Sequence, residues 1–176
     1  MPANAKESPA AGAHAPAFTL FLQTHAGNTS NDLWESTFDG TTWTLNHRIQ
    51  GLQSKATVAL ASDGRDFHLV RLDASSNQLS HSKLPTTSGA SSPIPSQRSK
   101  VAPALIFDGT RVRLVRVDES SNELLTSFFD GRGWTISERV GDARSKATPA
   151  LASYAGSIQV VHLDPTSNEI WHRRLE

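Results

Sequence analysis

Ser167-Asn168-Glu169-Ile170-Trp171-His172 is one of four versions of the same stretch in this chain. The others are Ser30-Asn31-Asp32-Leu33-Trp34-Glu35, Ser76-Asn77-Gln78-Leu79-Ser80-His81 and Ser121-Asn122-Glu123-Leu124-Leu125-Thr126. The asparagines at 31, 77, 122 and 168 set a period of 46, 45 and 46 residues. A second marker, Ser54-Lys55, Ser99-Lys100 and Ser145-Lys146, keeps the same phase with spacings of 45 and 46. Two markers sharing one spacing make the chain an array of like units.

Each unit reads as four short strands, A to D. Strand A is short and apolar (TVALAS, APALIFD, TPALASY), and a glycine turn leads to strand B (DFHLVRLD, RVRLVRVD, IQVVHLD). Strand C carries the asparagine marker. Asp39-Gly40 and Asp130-Gly131 then predict hairpins of type I′, in which both central residues take positive φ, leading to strand D with Trp43 or Trp134 at its start. The second unit lacks this device and has Pro93 and Pro95 in its last strand, which is therefore expected to lie at an exposed edge or to be irregular. No window shows a capped 3.6-residue period, so almost no helix is expected.

The predicted fold is all-β: a β-propeller of four-stranded antiparallel blades, about four per chain. The residue two after each marker asparagine is aliphatic (Leu33, Leu79, Leu124, Ile170), and the next is Trp34, Ser80, Leu125 or Trp171. Apolar residues on both faces of a strand suit a sheet stacked between neighbours. The expected blades are 16–53, 54–98, 99–144 and 145–176, after a flexible tail at 1–15 in which Ser8-Pro9-Ala10-Ala11 marks a degenerate strand. The first blade has only this weak strand A, and the last stops after strand C. The ring therefore closes in cis or through a second chain, and a homodimer is the favoured expectation.

Seventeen Lys and Arg balance 17 Asp and Glu, which gives no electrostatic footprint for nucleic acid. No apolar run is long enough for membrane insertion as a helix. Cysteine is absent, which excludes thiol chemistry and Cys-based zinc sites. The N-terminus lacks the continuous apolar core of a secretory signal, so the expected location is the cytoplasm, or outside the cell by another route.

The phrases SNDLWESTFDGTTW, SKATPALAS and HLDPTSNEIWH resemble the repeats of tachylectin-like and fucose-binding β-propeller lectins of bacteria and fungi, across residues 17–176. The resemblance implies sugar recognition in shallow pockets between adjacent blades, with an aromatic ring under the sugar. The chain departs from the pattern at Ser80 and Leu125, which stand where Trp34 and Trp171 do. Sugars stack their C–H faces on aromatic rings and need convergent donors and acceptors for their hydroxyls. The candidate carbohydrate-binding residues are therefore Asn31, Trp34 and Glu35, Asn77 and His81, and Asn168, Trp171 and His172.

Competing roles are equally concrete. The tryptophans, Trp43 and Trp134 above all, can fill space between blades, and the asparagines can serve turns by adopting positive φ. No histidines fall at a metal-ligand spacing, so neither a metal nor a cofactor is expected. STFDGTTW does not match an Asp box, there is no Gly-x-Ser-x-Gly elbow, and carboxylates recur with the repeat rather than as one pair. The expectation is a non-catalytic, multivalent lectin for glycans containing fucose or N-acetylhexosamine. A protein–protein scaffold is the alternative.

Overall fold

The computed structural model describes residues 10–14, 20–26, 31–38, 41–45, 47–84 and 90–175, with the first two segments known in backbone only. They form four antiparallel sheets in chain order. Blade 1 holds β1 (Ala10–His14), β2 (Leu20–Ala26), β3 (Asp32–Phe38) and β4 (His47–Gln53). Blade 2 holds β5 (Ala59–Ser62), β6 (Phe67–Leu72), β7 (Gln78–Leu84) and β8 (Ser92–Arg98). Blade 3 holds β9 (Ala104–Phe107), β10 (Val112–Val117), β11 (Glu123–Phe129) and β12 (Glu138–Arg144). Blade 4 has β13 (Ala150–Tyr154), β14 (Ser157–Leu163) and β15 (Ile170–Leu175). The inner strands β1, β5, β9 and β13 follow one another side by side, so the sheets stand face to face as propeller blades do.

Within the stretch 1–15, Ala10–His14, which overlaps the degenerate strand expected at 8–11, forms the inner strand of blade 1, paired with β2 from Ala10↔Thr24 to His14↔Leu20. Blade 4 ends at its third strand among the described residues. Pro93 and Pro95 lie exposed on the outer strand β8, where a missing N–H leaves no inner ladder bond unmade.

Strand alternation assigns every side chain to one of two neighbours. Leu79 and Leu124 face forward, toward the next blade, and together with Leu33 are fully buried. Leu33 packs with Leu60, Phe67 and Leu69 between blades 1 and 2. Leu79 joins Val70, Leu72 and Leu114 between blades 2 and 3, and Leu124 joins Val115, Val160 and Leu175 between blades 3 and 4. Ile170 holds the same repeat position on blade 4 but is 77% exposed, because no further blade among the described residues covers it.

The two sequence markers turn out to touch. Lys55 Nζ donates to Asn77 Oδ1 at 2.5 Å and Lys100 Nζ to Asn122 Oδ1 at 2.7 Å; Lys146 and Asn168 form the third such bond. The neighbouring serine binds the blade before: Ser54 N–H donates to Asn31 O and Ser145 N–H to Asn122 O, both at 2.8 Å, and Ser99 N–H to Asn77 O at 2.9 Å. Asn31, Asn122 and Asn168 take positive φ of 55°, 61° and 62°.

A second interblade link carries no obvious sequence signature. Arg71 Nη1 donates to Gln53 O at 2.6 Å, Arg116 to Arg98 O, and His162 Nδ1 to Arg144 O at 2.9 Å. Each reaches the last residue of the preceding blade from the same place on strand B. Burial lowers the guanidinium pKa of Arg71 and Arg116, and Asp73 and Asp118 oppose that shift. Asp118 stays well below the usual carboxylate range: burial pushes it up, but hydrogen bonds from Ser120 and Ser121 outweigh that.

The hairpin expectation needs correcting at Asp130. Gly131 has φ 94°, but Asp130 is not in the left-handed region. Its carboxylate instead accepts the N–H groups of Arg132 and Gly133, both at 2.8 Å, in a turn running from 130 to 133. Trp43 and Trp134 do not begin strand D. They bridge back to Phe38 and Phe129, and β4 and β12 start several residues later. Asp39-Gly40 lies outside the described residues.

Candidate functional site

Between blades 2 and 3 an open groove of about 560 Å³ is lined by His81, Lys83, Ser92, Phe129, Arg132 and Trp134, with Pro93 and Pro95 on its rim. His81 and Lys83 project forward from β7, on the face of blade 2 that carries Leu79. Phe129 ends β11 and Trp134 is held against it by the tight turn at Asp130. Ring centres are 5.6 Å apart for Phe129 and Trp134, 4.8 Å for His81 and Phe129, and 5.4 Å for His81 and Trp134, the last edge to face. Lys83 Nζ stands 5.4 Å from the centre of the Phe129 ring, within cation–π range.

Beneath the groove lies a buried pair of imidazoles. His68 and His81 stack in parallel with ring centres 5.1 Å apart, and His68 Nδ1 is 3.0 Å from His81 Nε2. His68 Nε2 reaches Asp63 Oδ2 at 3.1 Å. A carboxylate only accepts, so Nε2 of His68 carries a proton; in a neutral His68, Nδ1 then accepts from His81 Nε2–H. Burial pushes the His81 pKa down to about 4, with His68 and Lys83 adding to the shift. Asp63 sits at about 2: burial raises it, and the N–H groups of Asp66 and Arg65 together with His68 more than reverse that. Asp63, Asp66 and His68 bring ligand-type atoms within 4.8 Å of one another. Lys83 Nζ already occupies Asp66 Oδ2 at 2.9 Å, and turn N–H groups hold Asp63 Oδ1, so the cluster is neutralised from within the chain.

The candidate residues from the sequence are scattered by the same alternation. Only His81 enters this groove. Glu35 faces forward from blade 1 and accepts from His47 Nε2 at 2.6 Å, whereas Trp34 points the other way. His172 faces outward from blade 4, where its Nε2 donates to Gln159 Oε1 at 2.6 Å, whereas Trp171, 47% exposed, faces blade 3. Trp34 with Glu35, and Trp171 with His172, are thus neighbours in sequence on opposite faces of a sheet. Asn77 and Asn168 hold the marker lysines, and Asn31 sits in the equivalent turn with its carbonyl on Ser54.

Sequence reasoning treated Trp134 as filler and passed over Phe129. The signal was present: Phe-Asp-Gly-x-x-Trp occurs at 38–43 and again at 129–134. Five residues across a tight turn bring the two rings together.

No protein-family model matches the sequence, and no curated protein matches it. Among solved structures, the fucose-disaccharide complex of the Aleuria aurantia lectin aligns with TM-score 0.68 and 15% identity, over 96% of this chain and 58% of that one. The SapL1 lectin in complex with α-methyl fucoside aligns with TM-score 0.58 and 13% identity, over 96% and 64%. The catalytic domain of a Coprinopsis cinerea GH62 α-L-arabinofuranosidase aligns with TM-score 0.57 and 12% identity, over 96% and 63%. At these identities the likeness establishes the propeller fold. The chain spans about 58 to 64% of the two lectin chains.

Proposed function

We propose that this chain is a carbohydrate-binding protein without catalytic activity, with the groove between blades 2 and 3 as its principal sugar site. The observation that carries this reading is the joining of two aromatic rings, Phe129 and Trp134, with the polar groups of His81, Lys83, Ser92 and Arg132 in one open groove. The ring faces and the two prolines suit the C–H side of a pyranose. The ammonium, guanidinium and hydroxyl groups suit its hydroxyls. Lectins with this fold are among the solved structures, complexed with fucosides, which favours fucose- or N-acetylhexosamine-containing glycans as the partners.

Propellers also include glycosidases, and the lining of this groove favours binding over hydrolysis. Glycoside hydrolysis needs a pair of carboxylates flanking the bond, and no described residue lining this groove is Asp or Glu. Glu35 with His47 marks a second, weaker site between blades 1 and 2. Trp34, Trp171 and His172 belong to other faces, and more than one occupied groove on a rigid body makes binding multivalent.

A protein–protein scaffold is the second reading, favoured by Leu45 and Ile136, which share a repeat position and are 90% and 91% exposed. A glycan array probed with purified protein separates the two. Saturable binding competed by free monosaccharide, and lost in Trp134→Ala with the fold intact, supports the lectin. Silence on the array together with capture of a defined protein partner supports the scaffold.

A further inference from the structure

The groove between blades 2 and 3 joins two unlike halves, and each half recurs on the first or the last described blade. The forward half consists of His68, His81 and Lys83. Blade 4 repeats it as Gln159, His172 and Arg174, with His172 bonded to Gln159 at 2.6 Å where His81 and His68 are 3.0 Å apart. The backward half consists of Phe129 and Trp134. Blade 1 repeats it as Phe38 and Trp43, ring centres 5.2 Å apart against 5.6 Å.

Each repeated half carries exposed large side chains. On blade 4, Ile170 is 77% and Val161 39% exposed, whereas their repeat counterparts Leu79 and Val70 are fully buried under blade 3. On blade 1, Trp43 is 51% exposed. A large aliphatic exposed at a position that is core in three other blades is a face awaiting a neighbour. The two faces are complementary to each other and neither is complementary to itself: one offers imidazole, amide and aliphatic groups, the other aromatic rings.

We propose that the outer face of blade 4 docks on the outer face of blade 1 of a second copy of this chain. That joint builds another groove of the kind found between blades 2 and 3, with Gln159 and His172 from one copy and Phe38 and Trp43 from the other. The contact is heterologous, head to tail, because it joins a blade 4 face to a blade 1 face rather than two copies of one face. Arg174 takes the place over Phe38 that Lys83 holds over Phe129. Ile170 and Val161 become core, as Leu79 and Val70 are.

Light scattering tests this without any sugar, so its failure leaves the groove between blades 2 and 3 untouched. The expected mass is a multiple of the 19.0 kDa chain at micromolar concentration. Ile170→Lys, a change at a surface position of the single chain, is expected to return one chain mass with an unaltered circular dichroism spectrum. A single-chain mass for the unmodified protein overturns the proposal.

Because the chain has no cysteine, thiol cross-linking gives a second, geometric readout. His172→Cys and Trp43→Cys chains, mixed and treated with a short bismaleimide, should yield a two-chain product that neither variant forms alone. Cross-linking of either variant with itself contradicts the head-to-tail arrangement. A cross-link formed within one chain of the double variant, without change of mass, means closure in cis and also overturns it.

Discussion

His68 and His81 lie parallel with ring centres 5.1 Å apart, both buried, one nitrogen of each within 3.0 Å of the other. Two imidazoles so placed cannot both be charged. With the His81 pKa pushed down to about 4, the folded protein takes up a proton there later than the unfolded chain, whose histidine titrates near 6.5. The stability this arrangement confers is therefore complete above pH 6.5 and is lost as pH falls toward 4. The loss amounts to about 3 kcal/mol at most. Urea unfolding at pH 7, 5.5 and 4.5 should show the decline, and His81→Gln should flatten it. Asp63, held near 2, acts in a separate window, because its contribution is lost only below the ordinary carboxylate pKa of 3.8.

Asn122 combines a backbone at φ 61° with a carboxamide that binds Lys100. Asn122→Gly loses the hydrogen bond but keeps the conformation. Asn122→Ala loses both, so the alanine variant should be the less stable by about 1 kcal/mol. Lys100→Met, which removes only the bond, should cost about 0.5 to 1.5 kcal/mol. Denaturant midpoints of the three variants check the order.

Arg116, only 4% exposed, joins blade 3 to the end of blade 2 at Arg98 O and faces Asp118. Asp118→Ala strips a buried cation of its counter-charge and the following turn of its cap, and should cost about 3 kcal/mol or more. Arg116→Met, which removes the charge along with the tether, should cost less than Asp118→Ala. Thermal unfolding of both variants compares them.

Leu124 and Ile170 hold one repeat position in unlike surroundings, 0% and 77% exposed. Leu124→Ala should destabilise the fold by about 2 to 5 kcal/mol. Ile170→Ala should leave the unfolding of a single chain nearly unchanged and act on association instead, which unfolding curves over a range of protein concentration would reveal.

The array itself was legible in the sequence because its markers have one cause. The marker asparagine opens a turn, left-handed at Asn31, Asn122 and Asn168, before a forward-facing aliphatic residue, and Ser-Lys marks the stitch that reaches that turn, so both recur with the blade. Alternation placed Leu33, Leu79 and Leu124 correctly. The same alternation, not carried through to the next residue, explains why Trp34 with Glu35 and Trp171 with His172 were grouped though they face opposite ways. The groove was not legible because its parts are far apart in the chain. His68, His81, Phe129 and Trp134 come together only when blade 3 stacks on blade 2. Ala10–His14 was legible only as a degenerate strand because its alanines carry no strand preference of their own, and pairing with β2 defines it.

Binding of glycans by Trp134→Ala, compared with the unmodified protein on one array, is the measurement closest to the central claim. Glycan binding that free monosaccharide competes away, and that disappears in the variant while its circular dichroism spectrum is unchanged, is the expected result. A folded, unmodified protein that binds no glycan, or a Trp134→Ala protein that binds as well as its parent, would contradict it.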